Sequence, residues 1–492
     1  MIGRAESASR FAVALLPVAA ATAVVLVADR PASNPATDGS GPPEPVTRLV
    51  GADASACAAF PRADGSAAGV VAAMDSAGNW RTETLPPGAT EPVLGPGGSR
   101  TGSGMAAPAA FTAQRLPEGD GGGLAVRQCD GPARQWWFVG AGSSTLREST
   151  LVLTNVDASD AVVDVVLGGT GGPLDAVGAD GVRVGAGETV RLPLGGLVAG
   201  EEEVSAAVVA SQGRVVAAVA DEWSGGLVPL GSEWIPATAA PATRVLLAGV
   251  AVDGPRSLLV VANASQVATP VNLSVVDDRG TFVPTEGDTE LDVPAGGVAS
   301  VRLPADVRGT GPGSSALVVE AEQPITASVR SRTGTATGTS ADIAYGVAGP
   351  DLAEPAVVPV DLGRSLAGAR LALQLAAGLP GQAGPVPAAR RVTVTGHAAD
   401  GAVTGTDTVD ITPGTAQLVD LAELDLTGAA PQSTRYLVLR PDVGSDRAPA
   451  PLVGTVVLRA AGSVAALPLD AGLTRVPVPA LAPAVVPGVP LG

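Results

Sequence analysis

Few residues in this 492-residue chain are of types that do chemistry, and their spacing limits what that chemistry could be. His397 is the only histidine, so a Ser/His/Asp triad would have to be built on it. It follows Gly396 after an alternating segment, beside a turn, and reads as an exposed turn residue. Cys57 and Cys129 are the only cysteines. A metal site needs three or four ligands, which two cysteines and one distant histidine do not supply. Redox pairs are usually Cys-x-x-Cys, which this is not. In an exported protein an isolated pair is most simply one structural disulfide. Such a bridge would restrain the unfolded chain by up to ~4 kcal/mol. Clustered acids at Asp221-Glu222, Glu201-Glu202-Glu203 and Asp277-Asp278 are material for glycoside hydrolysis. Adjacent acids on a strand point to opposite faces, however, and acid runs in loops are solvated. Asp157, Asp160 and Asp277 could meet calcium, but no Asp-x-Asp-x-Asp-Gly loop exists. Gly-x-Ser-x-Gly, His-Glu-x-x-His and P-loop motifs are missing. The expectation is a non-enzyme without metal or cofactor, with a glycoside hydrolase as the remaining enzymatic alternative.

Aromatic residues make up only 2% of the chain. Trp136, Trp137, Trp223 and Trp234 lie near the ends of candidate modules and are the candidate ligand or interface residues. A tryptophan offers a flat apolar face on which a sugar ring can stack. It can equally plug a junction between modules. Along a strand Trp136 and Trp137 face opposite ways. Trp137 and Phe138 are assigned here to packing, which leaves Trp136 for a ligand.

The elements that must position these residues are strands. Apolar residues are 46% of the chain, with Gly (64) and Pro (43) together about a fifth. Short Val-rich alternating segments joined by Gly/Pro turns predict an all-β protein. Trp137-Phe138-Val139-Gly140 followed by Leu151-Val152-Leu153-Thr154-Asn155 has a counterpart in Leu246-Leu247-Ala248-Gly249 followed by Leu259-Val260-Val261-Ala262-Asn263. Matching points lie about 108 to 111 residues apart, as from Leu151 to Leu259 and from Leu192 to Leu303. Each copy is expected to close on a hairpin, Ala206 to Ala220 in one and Ala316 to Arg330 in the other. A looser third copy runs from Ala369 and closes on Tyr436 to Arg440 and Gly454 to Arg459. Pro-spaced segments such as Ser232 to Ala237 read as connectors or edge strands. Copies of this size and strand spacing predict tandem immunoglobulin-like β-sandwich modules. The layout is a disulfide-containing β region over 47–134, modules over 135–245, 246–354 and 355–475, and a Pro-rich tail over 476–492.

Ahead of these, Arg4 and Arg10 precede an uncharged apolar run from Phe11 to Ala28. At 1.5 Å per residue it just spans a thin hydrocarbon core. Residues 1–30 are therefore expected to be a transmembrane signal anchor with the bulk of the chain outside, or a signal peptide that is cleaved. Residues 31–46 are a solvated Pro-rich linker. All thirty basic residues are Arg, and the net charge is -18. An acidic chain without basic clusters is repelled by nucleic acid. The expected partners are the membrane through the first helix, and an envelope protein or a cell-wall glycan.

Cys129-Asp130-Gly131-Pro132 leading to Trp136-Trp137-Phe138-Val139-Gly140, then Leu151 to Asn155, resembles an actinobacterial family, domain-of-unknown-function family 5719. Trp234-Ile235-Pro236-Ala237 ahead of Pro241 is similar to another of its stretches. The resemblance implies an exported, anchored β protein of non-catalytic character, and it brings no catalytic residues with it. Binding or scaffolding is the expected role.

Overall fold

The computed structural model describes most of residues 46–478. Residues 1–45, 479–492 and several internal segments, the longest being 95–109 and 379–388, lie outside the described residues. The expected anchor, nearly all of the linker and most of the tail fall there. Among the described residues, no helix is long and apolar enough to cross a membrane. Residues 49–475 form one compact unit. Beyond it the description holds only the ends of β1 (Val46–Gly51) and of the last strand, Leu473–Val478, which pairs with β1.

The strands form where apolar and polar residues alternate. Val163, Val165 and Leu167 are buried, while the residues between them are half-buried or exposed. After the short pair β2 (Ser55–Ala56) and β5 (Val93–Leu94), the amino-terminal region builds one antiparallel sheet. Its strands are β3 (Ala68–Met74), β4 (Trp80–Leu85), β6 (Ala110–Leu116) and β7 (Gly123–Gln128), in the order β4-β3-β6-β7. Cys57 and Cys129 are disulfide-bonded beside it.

Three modules follow, the first and third of two sheets each and the second a single eight-stranded sheet joined through one long strand. The first comprises β8 (Gln135–Ala141), β9 (Arg147–Thr154), β10 (Ala161–Gly169), β11 (Gly172–Leu174), β12 (Val182–Val184), β13 (Thr189–Pro193), β14 (Val204–Gln212), β15 (Val216–Gly225) and β16 (Val228–Ile235). One sheet has the order β11-β10-β14-β8, with β12 on β10; the other is β13-β9-β15-β16. The second module comprises β17 (Ala242–Leu247), β18 (Leu258–Asn263), β19 (Thr269–Val276), β20 (Thr281–Phe282), β21 (Glu290–Val293), β22 (Val298–Arg302), β23 (Ala316–Thr333) and β24 (Asp342–Val347). The third comprises β25 (Ala356–Pro359), helix α1 (Val360–Ser365), β26 (Arg370–Ala377), β27 (Arg390–His397), β28 (Val403–Ile411), β29 (Ala416–Asp420), β30 (Tyr436–Pro441), β31 (Leu452–Ala460) and β32 (Ser463–Pro468). Its sheets are β25-β30-β27-β28 and β29-β26-β31-β32, the same order as in the first module.

The expected hairpins are not hairpins. In the first module β14 pairs with β8 and β10, whereas β15 pairs with β9 and β16. The turn at 211–213 therefore carries the chain from one sheet to the other. In the second module the same passage is a single 18-residue strand, β23, which pairs with β17 and β19 at one end and with β18, β22's neighbour, at the other. In the third, β30 and β31 again lie in different sheets. Period-two alternation around a turn shows two strands but not whether they pair, because a sheet switch keeps the same inward face.

The last strand of each sheet decides the assembly. β7, β16, β24 and β32 lie side by side in a closed cycle, each packed on the next and β32 on β7. Apolar cores cross every junction of that cycle. Ala125 and Phe60 pack with Val152 and Trp234. Ile343, Tyr345 and Val347 of the second module complete the core of the first. Ala376, Ala416 and Val453 of the third pack on Leu246 and Val318 of the second. Val70, Phe111 and Val126 of the amino-terminal sheet share one core with Leu373, Leu437 and Val456 of the third module. The first sheet thus closes on the last module.

Candidate functional site

Among the described residues, two clusters of chemistry-bearing side chains hold the candidate tryptophans. The first is a pocket of about 320 Å³ at the end of the strand cycle, where β7, β16 and β32 run out into connectors. Its lining includes Trp136, Trp137 and Trp234, together with Arg127, Asp130 and Asp470.

Each pocket residue is placed by its strand. Trp136 and Phe138 share a face of β8 that packs on the first module's core, and the Trp136 indole N–H donates to the Val215 carbonyl at 2.8 Å. Trp137 lies on the other face of β8, half-buried. Among the described residues its indole N–H has no hydrogen-bond partner. Both rings line the pocket, and it is Trp136 that is also tied into the first module's core, where Trp137 was expected to do the packing. The expectation paired Trp137 with Phe138, but neighbours on a strand cannot face the same way.

Trp234 is buried near the end of β16, an edge strand of its sheet. Phe60 meets it edge-on at 5.1 Å, and the Arg127 guanidinium lies 4.9 Å from its ring centroid. Arg127 donates to Asp130 at 3.0 Å, and its side chain is only 7% exposed against 27% for Asp130. Burial pushes the Asp130 carboxyl up to about 6, Arg127 opposes this and Asp470 adds to it. The Asp130 backbone carbonyl also accepts from Ala56 N–H at 3.1 Å. The disulfide at Cys57–Cys129 thus anchors the loop that carries this ion pair.

The second place is a buried ionic network between the first and second modules, and Trp223 belongs to it. Arg147, 3% exposed, donates to Asp221 at 2.9 Å, to Glu203 at 3.1 Å, and to the Tyr345 hydroxyl at 2.9 Å. It also donates to the Gly140 carbonyl. Ser149 and Tyr345 donate to Asp221, and Arg330 donates to Glu203 at 2.7 Å. Burial disfavours the Arg147 charge, but Asp221, Tyr345 and Glu203 outweigh it and hold the guanidinium above its ordinary value. The guanidinium carbons of Arg330, Arg332 and Arg147 lie 4.3, 5.0 and 5.6 Å from the Trp223 centroid. Trp223 therefore sits apart from the other three tryptophans, enclosed by cations.

The acids offered for hydrolysis have other tasks. Asp221 and Glu203 neutralise Arg147 and Arg330. Asp277 accepts from the N–H groups of Arg279 and Gly280 and from the Arg279 guanidinium, shaping a turn. Asp157 and Asp160 pair with Arg214 and Arg183. Among the described residues, no three His, Cys, Asp or Glu side chains cluster as metal ligands. His397 is not an exposed turn residue. It ends β27, is half-buried, and stacks on Tyr436 at 5.0 Å, with Trp80 stacked on that ring at 4.9 Å.

Sequence reasoning gave no role to Arg127, Asp130 or Asp470. Asp130 stood in the Cys129-Asp130-Gly131-Pro132 block, yet nothing in one strand's pattern tells which loops will meet it.

Residues 87–422 match a family of unknown function, DUF5719. No curated protein matches the chain. Among solved structures, a tetra-tandem repeat in the extending region of a large adhesion protein aligns at 14% identity, over 84% of this chain and 93% of that one, with a TM-score of 0.12.

Proposed function

We propose a binding or scaffolding role for this chain, which belongs to the DUF5719 family of unknown function, with the tryptophan-lined pocket as its binding site. The observation that carries this reading is the pocket's composition and position. It gathers three of the chain's five tryptophans and an ion pair with a buried guanidinium where β7, β16 and β32 run out together. Concave sites with apolar walls and a few placed polar groups are the usual form of a ligand site. The reading is of a non-enzymatic protein outside the cytoplasm, held at the membrane by residues 1–30 or released by their cleavage. The apolar run from Phe11 to Ala28 supports that location. The modules are read as immunoglobulin-like sandwiches; in the third module the pairing of the second strand, β26, with the fifth, β29, and of the third, β27, with the sixth, β30, supports this.

A photo-crosslinking residue at exposed Gln135, on the pocket's rim, tests the role in intact cells. The expected product is an adduct with an envelope protein or wall glycan that the same probe at exposed Arg183 does not give. Equal adducts from both positions, or none, would remove the pocket as the site of action.

A further inference from the structure

We propose that the pocket binds a neutral, hydroxyl-rich ligand, a pyranose ring of a glycan, stacked on Trp137 and hydrogen-bonded by the polar groups at the rim. This rests on the pocket being the binding site, and it adds the class of ligand.

The size comes first. About 320 Å³ is at the small end of ligand sites, enough for one or two rings and too little for a folded segment of a partner. The charge comes next. Arg127 is the cation of the lining; it is ion-paired with Asp130 and stacked against Trp234. A phosphate or carboxylate ligand would have to compete with Asp130 for it while approaching Asp470, on a chain of net charge -18. A fully apolar ligand would strip water from the Arg127–Asp130 pair with nothing in return, a costly burial.

The wall chemistry then selects among neutral ligands. Trp136 has its indole N–H committed and Trp234 is buried with Arg127 on its face, so Trp137 is the half-buried ring with neither engagement. The C–H face of a pyranose fits such a flat apolar ring. Gln128, Gln135 and Thr238 line the same cavity beside the two carboxylates. Amide and carboxylate groups each offer two hydrogen-bonding atoms, which suits adjacent hydroxyls. A stacking face beside several bidentate polar groups is the arrangement a sugar requires.

The test is titration of the full chain with glucose, mannose, N-acetylglucosamine and the disaccharide of the last, read by tryptophan fluorescence and saturation-transfer NMR. Inorganic phosphate and tetramethylammonium serve as probes of the other charge classes. At least one sugar should saturate, with Trp137→Ala weakening it about tenfold or more and Trp137→Phe restoring most of the affinity. The variants' melting curves must match the parent. Sugar binding that Trp137→Ala leaves unchanged would overturn this placement. Saturation by phosphate or tetramethylammonium with no sugar response would overturn the ligand class. Silence toward every sugar, with the Gln135 adduct still formed in cells, would overturn the sugar while leaving the pocket as a binding site. Silence with no adduct would overturn both.

Discussion

Two of the places where buried acids join the modules hold those acids in opposite ways. Asp221 and Glu203 meet Arg147 and Arg330, so each negative charge has a cation in contact. Glu233 and Asp342, in the strand cycle, are held by N–H and O–H donors. Glu233 accepts from Val126 N–H at 3.0 Å and Trp234 N–H at 2.8 Å. Asp342 accepts from Ile343 N–H at 2.9 Å and Val464 N–H at 3.1 Å, with further bonds from Ser463 and Leu124. These carboxylates stitch β7, β16, β24 and β32 to one another. Burial pushes Asp342 up to about 8 against the pull of those hydrogen bonds. Burial, then the neighbouring Asp342 charge, raises Glu233 well above its ordinary value. The lesson is that two buried carboxylate sets in one molecule can be satisfied by different chemistry, guanidinium groups in one and N–H and O–H donors in the other. At Glu233 and Asp342 the hydrogen bonds from N–H and O–H donors favour the charged form, but burial outweighs them.

Arg147→Ala would break the contrast most strongly. It strands Asp221 and Glu203 in a buried site with one cation fewer, and about 3–5 kcal/mol of stability should be lost, read by chemical denaturation. Next is Gly231→Ala. Gly231 has φ 129°, and an added Cβ would lie 2.7 Å from the Ile343 backbone nitrogen. The positive φ alone costs about 1–3 kcal/mol, and parting β16 from β24 would admit water to the titrating acids.

The smallest effect per step is the pH response, and its sign follows from the raised values. A folded-state carboxyl at about 8, against 3.8 unfolded, holds more protons in the folded chain between those limits. Stability should therefore fall as pH rises from 5 to 8, by up to ~1.4 kcal/mol per pH unit for each such group. Asp342→Asn keeps an acceptor and removes the titration, so the melting temperature should flatten across that window. An unchanged slope in this variant would mean that Asp342 is not the group responsible.

Much of the fold was legible because alternation is local. The strands at Ala161–Gly169 and Thr269–Val276 bury every second residue in their first halves, as their sequences predict. β24 was not found: Asp342–Val347 is buried at all six positions, so it has no alternation to show. The site was half legible. Scarce aromatics drew attention to Trp136, Trp137 and Trp234, and all three line the pocket. How they are engaged there depended on Val215 and Arg127, residues 79 and 107 positions from the rings they meet. Asp470 comes from the far end of the chain and carries no signal of its own.

What the sequence determined by itself is the alternating strands, their repeat at about 108 to 111 residues, and the pairing of the only two cysteines. These follow from periodicity, spacing and count, which one segment or one pair settles. The tertiary structure decided the rest. It set which strands share a sheet, placed the amino-terminal sheet against the third module, and brought four final strands into a cycle. Those outcomes depend on apolar faces and buried carboxylates finding partners hundreds of residues away, and pairing of that kind is a property of the closed assembly.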